Sequence, residues 1–175
     1  MSIREQLLRQ NSRANCDRVR AVVIGDQSRL IELMACFFSD EVIVAQRAAM
    51  VVGDVGRHEP DLLLPWLAEL VDAIENPIHQ AIRRNGVRFF SELDQPIPKP
   101  LEKRLVRMCL RFVADPTEKT APAAFAMQFV ADRAGEYPSD AKKLCKALKA
   151  RTLEATPGFQ NRARKILKRL GDRGV

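Results

Sequence analysis

A chain of 175 residues, 46% apolar and 29% charged, carries enough apolar material for a packed core and is neither disordered nor fibrous in composition. Its longest apolar stretches, Leu30 to Phe38 and Leu62 to Val71, fall far short of the roughly 18 residues that cross a bilayer, so no membrane segment is expected. The formal charge of +7 is unevenly placed: residues 141–175 hold +9 and residues 1–140 hold −2.

The chain opens with Ser2 and Glu5 in the spacing of a capping box, which predicts a short N-terminal helix. This opening lacks the apolar segment and small-residue cleavage site of a secretory signal, and a cytoplasmic protein is expected. Further along, Ser39-Asp40, Asn76-Pro77, Asp115-Pro116 and Thr156-Pro157 recur at intervals of 37, 39 and 41 residues. Each places an acceptor side chain where it can cap a helix, and in the last three a proline suits the first helical position. A period of that length accommodates two antiparallel helices and two short loops.

The apolar spacing is helical throughout, with no run of period two. First helices carry Leu30, Ile31, Met34, Phe37 and Phe38; then Leu63, Leu67, Leu70, Val71 and Ile74; then Leu101, Leu105, Met108, Cys109 and Phe112; then Leu144 and Leu148. Second helices carry Val44, Ala48, Val51, Val52 and Val55; Ile78, Ile82, Phe89, Phe90 and Leu93; Phe125, Phe129 and Val130; and Phe159, Ala163, Ile166, Leu167 and Leu170. Pro60, Pro65, Pro96, Pro98, Pro100 and Pro138 fall at expected helix starts and connections. Gly25, Gly53, Gly56, Gly135 and Gly171 are expected near the C-terminal ends of second helices. The expectation is one all-α domain over residues 1–175, built from helix pairs at about 2–26, 27–58, 60–95, 98–136 and 139–172.

The segment Asp40-Glu-Val-Ile-Val-Ala-Gln-Arg47-Ala-Ala-Met-Val-Val-Gly-Asp-Val-Gly56 resembles the second helix of a HEAT repeat: an acid in the turn, an arginine six or seven residues later, small residues, then glycine. Leu62-Leu-Leu-Pro-Trp-Leu-Ala-Glu-Leu70 resembles a HEAT first helix. Arg84 takes the arginine place in the next repeat and Arg162 or Arg164 in the last, while Ala124 or Phe125 stands there in the third full repeat. The resemblance implies a right-handed α-solenoid of about five HEAT-like antiparallel helix pairs, and a binding scaffold rather than an enzyme. At the level of fold it extends to the HEAT-like alkylpurine DNA glycosylases, which line a DNA groove with aromatic and acidic residues. The single Trp66 and single Tyr137 do not map onto such a set.

In HEAT-like arrays the second helices line the concave side, which implies a face carrying Gln46, Arg47, His79, Arg83, Arg84, Arg88 and Gln128. Protein binding through this face is the leading expectation, against the alternative that the arginines stitch neighbouring turns together. Nucleic-acid binding is the second reading, through Lys142, Lys143, Lys146, Lys149, Arg162, Lys165, Lys168 and Arg169, where dense cations suit phosphates. The competing account of those cations is a solvated cap closing a repeat array. Trp66, the Phe37-Phe38 pair and the Phe89-Phe90 pair read as packing anchors, with one member of each pair in the core. Cys16, Cys36, Cys109 and Cys145 form no C-x-x-C pair and, with His58 and His79, no zinc set, so reduced thiols and neither metal nor cofactor are expected. No nucleophile elbow, metalloprotease motif or phosphate loop occurs, and no catalytic residue is assigned.

Overall fold

The computed structural model describes residues 1–152, 155–172 and 174, and these residues are all-helical, with ten α-helices, one 3₁₀ segment and no strand. The all-α class predicted from the apolar spacing therefore holds. The chain divides into two compact units, residues 1–95 and residues 96–175.

In the first unit α1 (Ile3–Arg9) and α2 (Arg13–Val23) are followed by α3 (Gln27–Phe37) and α4 (Val42–His58). A 3₁₀ segment (Pro60–Trp66) then leads into α5 (Leu67–Glu75), and α6 (Gln80–Glu92) closes the unit. The Ser2–Glu5 capping box is formed. Pro65 removes an N–H that a regular α-helix would use, which accounts for the tighter 3₁₀ turn before α5. α4 is the central helix, packed against α1, α2, α3 and α6. Val44, Ala48, Val51, Val52 and Val55 on its inner face are all buried.

Gly53 and Gly56 lie inside α4 rather than at its end. A Cβ on Gly56 would stand 2.5 Å from Phe89 and 2.8 Å from Leu63, so this glycine admits α6 to close packing. Gly25 is the terminal glycine the sequence suggests: it follows α2 with φ of 88°, in the left-handed region. Both Phe89 and Phe90 are buried, whereas Phe37 is buried and Phe38 exposed. Ile31 and Ile78, expected in apolar stripes, are exposed; Ile78 precedes α6 and lies outside its periodic face.

The second unit holds α7 (Lys99–Ala114), α8 (Thr120–Asp132), α9 (Pro138–Thr152) and α10 (Pro157–Gly171). α7 packs on α8 and α9, and α10 packs on both α8 and α9. Only one of the three acceptor-proline pairs starts a helix: Thr156 accepts from the Phe159 amide with Pro157 at the first helical position. Asp115 instead ends α7 and folds an Asx turn, accepting from the amide and hydroxyl of Thr117 at 2.8 and 2.7 Å. Asn76 likewise ends α5, and α6 begins at Gln80 with His79 as its cap. Ser39 accepts from the Glu41 amide, and α4 starts only after Glu41. No helix among the described residues is long and apolar enough to cross a membrane.

Candidate functional site

The second-helix residues are held largely by the fold itself. Arg47 on α4 donates to the Leu7 carbonyl at 3.0 Å, in the last turn of α1. Arg83 on α6 donates to the carbonyls of Ile74 and Glu75 at 3.3 and 3.0 Å, closing α5. His79 accepts from the Ala81 amide at 3.1 Å. Arg47, His79 and Arg83, expected on a partner-binding face, thus satisfy helix-end groups that have no partner within their own helix. Arg88 pairs with Glu92 one turn on, and Gln128 donates to both carboxylate oxygens of Asp132. Arg84 differs: it is exposed and makes no hydrogen bond or ion pair with any described residue.

The basic residues of the second unit divide in the same way. Arg162 donates to Gln128 at 3.4 Å and Arg169 to Asp132 at 2.8 Å, so α10 is tied to α8. Lys143 pairs with Asp140 at 2.8 Å. Lys142, Lys146, Lys149, Lys165 and Lys168 are exposed and meet no acceptor among the described residues. Arg151 turns inward, donating to the carbonyls of Phe112, Val113 and Glu118 and lying 4.5 Å from the Phe159 ring centre. Arg47, Arg83 and Arg151 therefore do one job, each from a different helix: a planar fork closes the carbonyl end of an earlier helix.

Two buried carboxylates escaped the sequence reading. Asp54 on α4, with 1% of its side chain exposed, is met by Arg13 at 3.0 and 2.7 Å, by Arg20 at 2.6 Å and by Arg57. Burial raises its pKa, but the hydrogen bonds of Arg13 and Arg20 and the Arg57 charge outweigh it and hold the carboxyl below its ordinary value. Cys16 lies 3.9 Å from the same carboxylate, and burial with that neighbour pushes its thiol up to about 11, so it stays protonated. In the second unit Glu102 accepts from Lys99, Arg133 and Tyr137 at 3.0, 2.8 and 3.0 Å. Burial again opposes ionisation and the three donors again prevail. The one available signal was an acid inside the stripe Val51, Val52, Val55.

Each unit has an open concavity. In the first unit a groove of about 450 Å³ runs between Phe38 and Ser39 on one side and Ala73, Asn76 and Ile78 on the other, with Asp40, Glu69 and Asp72 at its rim. Phe38, Val42, Ile43 and Ile78 are all exposed large apolar residues, and the Phe38 ring stands 6.0 Å from that of Trp66. Asp40 and Glu69 have no hydrogen-bond or ion-pair partner among the described residues. In the second unit a cavity of about 720 Å³ opens where the α7–α8 turn, α9 and the start of α10 meet. Among the described residues no three potential ligands cluster as a metal site.

Helix pairs with small residues at their contacts, helix-end arginines and two internal charge clusters define an all-helical repeat protein. The chain matches the HEAT repeat domain family over residues 3–170, and it belongs to that family. No match was found to a curated protein or to a solved structure.

Proposed function

We propose that this HEAT repeat chain is a non-catalytic scaffold that binds a protein partner, with the groove beside Phe38 and Ile78 as its main contact. The observation that carries this reading is an open groove with exposed apolar side chains in its wall, Phe38 at 38% and Ile78 at 42% exposure. Asp40 and Glu69 at its rim, without a partner among the described residues, suit a basic amphipathic segment, whose apolar face fills the groove while its cations meet the rim. On the second-helix face, Arg84 has no competing bond to any described residue and Arg88 lies one turn further on; both are secondary contacts in this proposal. Arg47, His79, Arg83 and Gln128 support that face from within.

The test is affinity capture from native lysate with wild type, with Phe38→Ser plus Ile78→Ser, and with Arg84→Glu plus Arg88→Glu. Loss of a partner with the groove pair, at unchanged circular dichroism, is the expected outcome. A partner set untouched by both pairs removes the assignment. Polyanion binding is the second reading, favoured by the five exposed lysines of α9 and α10 that have no acceptor among the described residues.

A further inference from the structure

We propose that the cavity of the second unit binds a small organic phosphate monoester, its phosphate held by Lys119 and Lys146 and its apolar body by Pro116, Ala147 and Ala150. This site is independent of the partner groove, which lies wholly in the first unit. Four cations and one carboxylate line the cavity among the described residues: Lys119, Lys143, Lys146 and Arg151 against Glu118. Glu118 is buried and accepts from the Lys119 amide at 3.0 Å, and Lys143 is shared with Asp140. The Lys119 and Lys146 ammoniums are left with no acceptor among the described residues.

The kind of cation decides the kind of anion. Arg151 is the lining residue with a planar fork, and that fork is taken by three backbone carbonyls. What remains is lysine, a compact point charge, which suits a dianionic phosphate better than the two-point recognition of a carboxylate. The walls are small and apolar: Ala114, Pro116, Ala147, Ala150 and Ala155 leave the space open, and Phe159 is buried beneath Arg151. About 720 Å³ lies within the size range of small-molecule sites, and it far exceeds what an inorganic ion needs. A ligand filling it therefore has an anionic head and an apolar body.

The probe is 1-naphthyl phosphate, titrated by calorimetry and by amide shift mapping, beside inorganic phosphate and 1-naphthol, which carry the head and the body separately. The expected result is saturable binding of 1-naphthyl phosphate with shifts at Thr120, Ala147 and Ala150, and weaker binding of either fragment. Lys119→Glu or Lys146→Glu should each weaken it by roughly tenfold or more, the scale of one lost charged hydrogen bond. Ala150→Leu, at an exposed position, should weaken it by filling the mouth without unfolding the chain. Lys149→Glu, on α9 but outside the lining, should leave it unchanged. Inorganic phosphate binding as tightly as 1-naphthyl phosphate overturns the proposal, as does an equal loss with Lys149→Glu, which would mean diffuse charge. A 5′-phosphorylated oligothymidylate serves as the strand-borne source of the same head group. Its binding without that of 1-naphthyl phosphate also overturns the small-ligand assignment.

Discussion

Asp54 brings a charge into the first unit with 1% of its side-chain surface in contact with solvent, and three arginines answer it. Arg13 is more than half exposed, whereas Arg20 and Arg57 are about four-fifths covered. Removing the carboxylate leaves these guanidiniums facing one another without an anion. Asp54→Ala should therefore cost about 3 kcal/mol or more in urea unfolding, the scale for breaking a buried pair from one side. A loss below about 1 kcal/mol would mean that water already neutralises the cluster. The pH dependence follows from the direction of the shift: Asp54 and Glu102 both titrate below their ordinary values in the folded chain. Their contribution is complete above the unfolded values, near 3.8 and 4.5, and is lost as pH falls through the lower folded values. Wild type should lose stability steeply below about pH 4, and Asp54→Asn should flatten that slope.

At the scale of the element, α4 and α6 meet through residues too small to hold them apart. Glycine inside a helix ordinarily costs about 1 kcal/mol against alanine, so Gly56→Ala would be expected to stabilise an isolated α4. Here the added Cβ would enter the Phe89 ring and Leu63, and overpacking of this kind costs about 1–3 kcal/mol. Thermal unfolding of Gly56→Ala should therefore show a lower Tm; a higher one would mean that α4 and α6 are not in close contact there. This contact also marks the limit of what the sequence discloses. Period-3.6 stripes such as Val44 to Val55 and Leu63 to Ile74 report which face is buried; the first lies within α4, and the second runs from the 3₁₀ segment into α5. They do not report what lies opposite, so Gly53 and Gly56 looked like terminators. Asn76-Pro77 and Asp115-Pro116 were misplaced for a related reason: an acceptor before proline favours a chain reversal, and the helix then starts at the next residue able to satisfy its amides, His79 for α6. Arg47 and Arg83 were legible as exposed-looking cations, but their acceptors are carbonyls of earlier helices, which no spacing within one helix reveals.

Across the whole molecule the chemistry is graded from −2 in residues 1–140 to +9 in residues 141–175. That gradient was visible in the sequence, and the structure divides its cations into two groups. Arg151, Arg162 and Arg169 are engaged in the fold, whereas Lys142, Lys146, Lys149, Lys165 and Lys168 find no acceptor among the described residues. A solvated cap and a phosphate-tracking surface both use unpaired lysines, but they differ in their response to salt. A cap has no ligand. A tracking surface releases one condensed counterion for each phosphate it neutralises, so the logarithm of its affinity falls with the logarithm of salt by roughly 0.9 per contact on duplex DNA. Labelled duplex and single strands, titrated from low to physiological salt, separate the two. No binding at low salt, where phosphate contacts are strongest, leaves the cap. If binding appears, changing Lys142, Lys165 and Lys168 to Glu, all three outside the cavity lining, should shallow the slope by up to about three contacts. An unchanged slope would clear these lysines and move the polyanion contact elsewhere. Because none of the three lines the cavity, their reversal should weaken 1-naphthyl phosphate binding less than Lys146→Glu does, since a charge outside the site is screened by solvent and salt.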